Sequence, residues 1–419
     1  MKPNLDRGFA ETDPLLQAFR IGPHAFPGIW RSMFPAALAR LQFPEERRAS
    51  CSNCPKACYD DYRADYRCCT YHPRIPNFLL GLAQETNAGQ KAVDELLRRG
   101  MLLPEGMHSS PQQWLDFLDD SETDQFGRSQ KVLCPMLDPE SGFCNAHAFR
   151  NAVCSTYFCY HDHGSSGELF WSLIQTLGTQ LEMRLGQWAL RQIGFDLDHY
   201  FVTLNELAPH LPSLSSATGW TPAALAKLWG PWYGREKQLL KDCATLIAKH
   251  RDELWTIAQD LTIQEAPLFD QALLDAVPEA QRSELEAEDE SATDRIDLEE
   301  LWQECLDSHA ELWSWPAGRV TLSPNARIID NPRLSPEQIY AQAKPYILEY
   351  RYPQQDNQLA FSLGLDASEQ KILALFDQQP RELSQIFAEQ AWLAEVPRAR
   401  SFMSEMLRRK VLWSVPKIS

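Results

Sequence analysis

The chain has 419 residues, too many for one hydrophobic core, so we expect two or three domains. No apolar run reaches the ~20 residues of a membrane-spanning helix, and the first residues lack the apolar segment of a secretion signal. These features predict a cytoplasmic protein that does not enter a membrane. The formal net charge of −17 repels polyanions and argues against nucleic acid as a partner.

The amino-terminal half alternates between cysteine-rich and helical segments. Prolines interrupt residues 1–50 repeatedly, which predicts short helical pieces. Between two cysteine blocks, residues 78–82 and 93–97 have helical patterns. Ser110 followed by Pro111 is typical of an N-cap and the first helical position.

The middle of the chain is predicted to be helical. Apolar residues recur at steps of three or four over residues 166–194, which predicts one long helix with a buried face. A second helical stretch over residues 221–261 is expected to break near Gly230. Residues 278–300 carry ten acidic and two basic side chains, a pattern typical of a solvated linker or exposed helix.

Residues 301–419 predict a small α+β domain. Residues 319–322 and 346–350 look like strands. Three helices follow, the first capped by Ser368, the others at residues 383–390 and 397–409, and then a strand at residues 411–415. This order matches a winged helix. The arginines of the third helix could contact DNA phosphates or lie on a solvated face, and we expect a protein or peptide partner instead.

Nine of the 11 cysteines fall between Cys51 and Cys159. In a reducing compartment such clustering indicates metal binding or redox chemistry rather than disulfides. The Cys51-x2-Cys54 hook can aim two sulfurs at one ion, whereas the adjacent pair Cys68-Cys69 could supply two sites or two corners of a cluster. The full series is Cys51, Cys54, Cys58, Cys68, Cys69, Cys134, Cys144, Cys154 and Cys159.

This pattern resembles the bacterial YkgJ family of cysteine-cluster proteins, whose CxxCxxCC domain is described as zinc- or iron-chelating. The resemblance covers about residues 51–160. Cys51, Cys54, Cys68 and Cys69 match the family's first block, and Cys134, Cys144, Arg150, Cys154 and Cys159 match its second. The chain departs from the family in the 13 residues between Cys54 and Cys68, which include Cys58, and in Asn151, which replaces a proline. The resemblance implies metal binding but supplies no reaction, because the family is largely uncharacterised.

The sequence leaves the metal open. Scattered thiolates suit an iron–sulfur cluster of the four-iron, four-sulfur type, whereas the short hook also suits zinc, and a metal-free thiol redox site is a further alternative. Arg150 could neutralise an anionic cluster or be an exposed surface charge. His161 and His163 could be ligands or part of a polar turn, and His147 and His72 are weaker candidates. Cys243 and Cys305 are expected to be core residues.

We therefore predict a mainly α protein with four regions. They are a cysteine-cluster metal-binding domain (residues 1–165), a helical region (166–277), an acidic linker (278–300) and a winged-helix-like domain (301–419). The first hypothesis is an iron–sulfur protein for electron transfer or for a redox or modification reaction on a partner. The alternative is a non-enzymatic interaction protein with structural zinc. Whether the chain is an enzyme stays open.

Overall fold

The structure is a computed structural model, and it describes residues 12–46, 51, 54, 62–122, 126–138, 140–159, 161–216, 218–278, 282, 296–314, 318–331, 344–351 and 360–415. Helices dominate and the sheets are small, which confirms the mainly α fold class. The chain divides into two compact units: residues 1–43, 56–157 and 173–303 form the first, and residues 44–55, 158–172 and 304–419 form the second. Within the described ranges, no helix is both long and apolar enough to cross a membrane.

The first unit begins with a small antiparallel hairpin of strands β1 (Phe19–Ile21) and β2 (His24–Phe26). Gly22 turns the hairpin with a φ of 55°, a conformation that glycine adopts without strain. Helix α1 (Trp30–Met33) and a 3₁₀ turn follow. The expectation of helical pieces alone over residues 1–50 was therefore wrong, since a glycine turn and alternating buried residues produce a hairpin here.

The cysteine-bearing part of the first unit is built on short helices and one small hairpin. Helix α3 starts where the Thr86 side chain accepts a hydrogen bond from the Gly89 amide, and it ends at Gly100, which has a φ of 69°. The Ser110 hydroxyl accepts from the Gln113 amide at 3.4 Å, which confirms the predicted helix start. The elements are α2 (Asn77–Ala83), α3 (Asn87–Arg99), β3 (Leu102–Leu103), β4 (Gly106–Met107), α4 (Pro111–Glu122) and α5 (Ala152–Thr156).

The long helix α6 (Gly164–Gln192) confirms the clearest sequence prediction. Its residues up to 172 belong to the second unit and the rest to the first. Ile174, Leu177, Leu181 and Leu185 are fully buried, so the apolar stripe is the core-facing side. The later helices of the first unit are α7 (Leu197–Leu207), α8 (Leu211–Leu214), α9 (Pro222–Trp229), α10 (Glu236–Lys249), α11 (Leu254–Gln259) and α12 (Pro267–Asp275).

The predicted break near Gly230 is confirmed, because α9 ends there and a 3₁₀ turn separates it from α10. Helix α10 packs closely on α2. A methyl group at Gly81 of α2 would overlap the carbonyl oxygen of Leu240, so only glycine permits this approach. Of the acidic stretch, residues 298–300 belong to a helix, and most of the remainder lies outside the described residues.

Helix α13 spans Leu298–Trp313, and its residues 304–313 belong to the second unit. Two three-stranded antiparallel sheets follow. The strands are β5 (Arg319–Leu322), β6 (Ala326–Asp330), β7 (Tyr346–Arg351), β8 (Ala360–Leu365), β9 (Arg381–Glu382) and β10 (Leu412–Val415). One sheet has the order β6-β7-β8, and in the other β5 lies between β9 and β10.

Three helices lie between β8 and β10 in the sequence, with β9 after the first of them: α14 (Ala367–Leu373), α15 (Leu383–Glu389) and α16 (Ala399–Arg408). Their apolar sides meet the sheets in one core that includes Ile372, Ile386, Phe402 and Met406. The predicted order of three short helices and a strand is confirmed. The predicted cap was wrong, however, because Asp366 rather than Ser368 caps α14, in a reciprocal capping box with Glu369.

Candidate functional site

The Cys68-Cys69 pair ends a tight turn. The turn places Arg67 at a φ of 56°, and the Cys69 amide donates to the Tyr66 carbonyl at 3.1 Å. The Cys69 carbonyl in turn accepts from the Cys134 amide at 2.7 Å. This backbone hydrogen bond joins the first cysteine block to the second, across 65 residues of sequence.

Cys134 and Cys144 lie on opposite arms of a small loop. Leu137 pairs with Cys144 as an isolated antiparallel bridge. The Asp138 amide donates to the Phe143 carbonyl at 2.8 Å, and Gly142 turns the chain with a φ of 65°. This turn brings the two arms, and with them Cys134 and Cys144, back towards each other.

Cys154 lies in the short helix α5. The side-chain oxygen of Asn151 accepts a hydrogen bond from the Cys154 backbone amide at 3.1 Å. The side-chain nitrogen of Asn151 donates to the Arg74 carbonyl at 3.0 Å. Asn151 is therefore the N-cap of the cysteine-bearing helix. It also ties this helix to the segment that follows Cys69.

Five thiols of the first unit lie within electrostatic range of one another. Burial is the first cause that raises the pKa of Cys154, and the neighbouring thiolates of Cys134, Cys144 and Cys68 raise that pKa further. Burial likewise raises the pKa of Cys134 to about 12, with Cys144 adding to the effect. The structure thus brings together Cys68, Cys69, Cys134, Cys144 and Cys154, all as free thiols.

A hydrogen bond joins the thiols of Cys68 and Cys69. The hydrogen bond from Cys69 lowers the pKa of Cys68 to about 7, and the Arg67 charge acts in the same direction. The same hydrogen bond, followed by burial and by the charges of Cys134 and Cys144, raises the pKa of Cys69. Of the two thiols, Cys68 is therefore the more readily deprotonated, and the hydrogen bond from Cys69 favours its charged form.

Arg150 lies beside this group of thiols. Its guanidinium donates to the carbonyl oxygens of His147 at 2.8 Å and Ala25 at 2.6 Å. Burial lowers the pKa of Arg150, whereas the charges of Cys154 and Cys144 oppose that shift. A cation held in place near two thiolates is consistent with the charge-neutralising function that the sequence predicts for this residue.

The other predicted cysteine ligands are divided between the second unit and the residues outside the described ranges. Cys51, Cys54 and Cys159 are in the second unit, and Cys58 lies outside the described residues. Cys243 and Cys305 are fully buried, which confirms them as core residues.

The four candidate histidines also differ in position. His72 is buried and contacts the Ser109 hydroxyl and the Leu133 carbonyl, and His147 lies against Arg150. His161 and His163 are in the second unit.

Sequence reasoning missed two buried polar groups near the cysteine-bearing helix. One is Asn151, for which the Asn-x-x-Cys spacing was an available N-cap signal. The other is Glu182, which is 3 % exposed on the core side of α6 and accepts from the Ala152 amide. Burial raises the pKa of Glu182 well above its usual value. No local pattern marked it, because it stands inside an otherwise apolar stripe.

Among the described residues, no three His, Cys, Asp or Glu side chains surround a common point closely enough to hold a metal ion as they stand. Comparison of the chain with models of known families, with curated proteins and with solved structures found no match. The likeness to the YkgJ family therefore stays a hypothesis based on the cysteine pattern alone.

Proposed function

We propose that the chain is an iron–sulfur protein whose cluster is held by thiols of Cys68, Cys69, Cys134, Cys144 and Cys154. The observation that carries the proposal is the convergence of these five residues, from four separate points of the sequence, into mutual electrostatic range. Soft thiolates are the donors that iron–sulfur clusters require, and four of five suffice for a four-iron cluster. The bound cluster would supply one-electron redox chemistry.

The electrostatics of the site support a bound cation. Burial and neighbouring thiolates together raise the pKa of Cys134 and Cys144, so the charged form of these two thiols is costly without a positive centre. Arg150 offsets part of this cost. A metal centre would remove the rest, because coordination deprotonates a thiol outright.

The second unit supports a docking role. Three helices and a sheet with β5 between β9 and β10 are similar to a winged helix in which the central strand comes first in the sequence. Two arginines proposed for DNA contact are engaged internally: Arg398 pairs with Glu369, and Arg400 donates to the Trp313 carbonyl at 2.9 Å. We therefore favour a protein or peptide partner that receives electrons or is modified.

The test is anaerobic purification of the full chain, followed by iron, sulfide and zinc analysis and a visible spectrum. We expect about four irons and about four sulfides per chain with a brown colour. A Cys134→Ser/Cys144→Ser variant should lose the colour, whereas Cys243→Ser, a buried cysteine far from the group in sequence, should keep it. Zinc without colour would instead support the alternative of a structural-zinc interaction protein, and a metal-free chain would contradict both.

A further inference from the structure

Two cysteine-bearing stretches of the first unit are basic, although the chain as a whole is acidic. Residues 62–74 and 126–157 carry six arginine or lysine side chains and three acidic ones, a net charge of +3 against −17 for the whole chain. We propose that this basic surface binds an acidic segment of a partner protein, with Phe143 and Arg67 as the central contacts. The proposal rests on the proposed function, because it names the kind of partner that docks at the five-thiol group.

Phe143 is an exposed aromatic residue on a loop that backbone hydrogen bonds close. It is 68 % exposed. Its carbonyl accepts from the Asp138 amide at 2.8 Å, and the Gly142 amide donates to the Asp138 carbonyl at 2.8 Å. An aromatic ring on a backbone held in this way loses little conformational entropy on binding and buries a large area, so such residues often anchor interfaces.

Arg67 connects this aromatic ring to the thiols. Its guanidinium carbon lies 5.6 Å from the centre of the Phe143 ring. A methyl group at Gly142 would lie 3.2 Å from the Nη2 atom of Arg67. The side chain therefore extends from the residue next to Cys68 to the loop that carries Phe143. A guanidinium in this position can bind a carboxylate through two hydrogen bonds, and arginine is enriched with aromatic residues at the centres of protein interfaces.

The basic surface includes exposed members of the five-thiol group. Cys68 and Cys154 are exposed residues, although neighbouring protein atoms crowd their sulfur atoms. A second arginine, Arg150, lies within electrostatic range of Cys154. A protein that contacts Arg67 would therefore lie beside Cys68, at the group of thiols that the proposed function uses.

The charge pattern favours an acidic protein segment over other anions. Opposite charges steer a partner towards the surface and set its orientation. A long nucleic acid would also bring its phosphates close to the acidic remainder of the chain, which repels them. An exposed phenylalanine beside an arginine matches the composition of protein interfaces. We expect the bound segment to carry aspartate or glutamate next to an apolar side chain that covers the Phe143 ring.

A displayed library of random peptides, selected on the immobilised full chain, tests the proposal. We expect the selected peptides to be acidic, to contain an apolar residue and to bind more weakly as the salt concentration rises. Phe143→Ser and Arg67→Gln should each weaken the binding of these peptides at least about ten-fold. The matched controls are Leu268→Ser, at a residue of α12 that is 65 % exposed, and Lys241→Gln, at an exposed cation of α10. Neither control should change the binding.

Three results would overturn the inference. The first is a set of selected peptides without an excess of acidic residues. The second is equal binding by the two surface variants and the two controls. The third is single-stranded DNA that binds the wild-type chain but not Arg67→Gln, because that result would assign the surface to nucleic acid. If circular dichroism shows that Arg67→Gln does not fold, Phe143→Ser decides alone, since it changes an exposed side chain.

Iron analysis of the same samples separates this inference from the proposed cluster. Phe143→Ser should keep the iron of the wild-type chain, because the phenylalanine is not a ligand. Binding that depends on Phe143 in a chain without iron would support the basic surface and refute the cluster. An iron-containing chain that selects no acidic peptides would refute the basic surface alone.

Discussion

Asn151 shows how one residue can organise a site without being a ligand. It is buried, it caps α5 through the Cys154 amide, and it reaches back to the Arg74 carbonyl. His72 has a comparable position, because it contacts the Leu133 carbonyl next to Cys134. The backbone next to these cysteines is thus held in place by polar side chains that form hydrogen bonds with its amide and carbonyl groups.

We predict that Asn151→Ala lowers the free energy of unfolding by about 1–2 kcal/mol. The substitution removes the cap of α5 and leaves the Arg74 carbonyl without its donor. Urea unfolding followed by circular dichroism measures the loss. Asn151→Asp is the control for the cap alone, because aspartate keeps the acceptor for the Cys154 amide but lacks the donor to the Arg74 carbonyl. An alanine variant as stable as wild type would contradict the capping role.

At the scale of elements, the contact between α2 and α10 depends on one small residue. The close approach at Gly81 lets α10 cover the fully buried Phe78, Leu79 and Leu80. Gly186 of α6 also faces α2, but its nearest foreign atoms, on Asn77, are 3.5 Å from the position of an added methyl group. The close approach of α10 therefore requires glycine at position 81, whereas position 186 has room for a methyl group.

We predict that Gly81→Ala lowers the free energy of unfolding by about 2–3 kcal/mol, because the methyl group overlaps the Leu240 carbonyl and forces α2 and α10 apart. Gly186→Ala is the matched control. It should raise stability by up to about 1 kcal/mol, since alanine is the better helix former and has room at this position. Thermal denaturation compares both with wild type, and equal melting temperatures for the two variants would disprove the explanation.

On the scale of the whole molecule, each unit contains a buried histidine that resists protonation. Burial lowers the pKa of His72 in the first unit to about 4. Burial also lowers the pKa of His163 in the second unit to about 4, although the Asp162 charge opposes the shift. Since an unfolded histidine titrates near ~6.5, the unfolded chain binds more protons than the folded chain between these values.

Both units should therefore lose stability as the pH falls from ~6.5 towards 4, whereas above that range the contribution is fully present. Each histidine should cost on the order of 2 kcal/mol by pH 5. Urea unfolding at several pH values measures the slope. His72→Gln and His163→Gln should each flatten it, and variants that keep the wild-type slope would show that other groups control the acid response.

Local sequence patterns were enough to predict many of the helical elements and to single out the clustered cysteines as candidates. The spacing of apolar residues and the capping residues predicted α4, α6 and the break at Gly230, because these features depend on residues that are close in sequence. Signals that involve few residues were missed, as in the β1–β2 hairpin and the Asp366 cap. The assignment of the cysteines to two units, the group of five thiols and the burial of Glu182 became visible in the folded chain alone. Those features depend on which distant segments pack together, and the spacing of residues along a chain does not specify that.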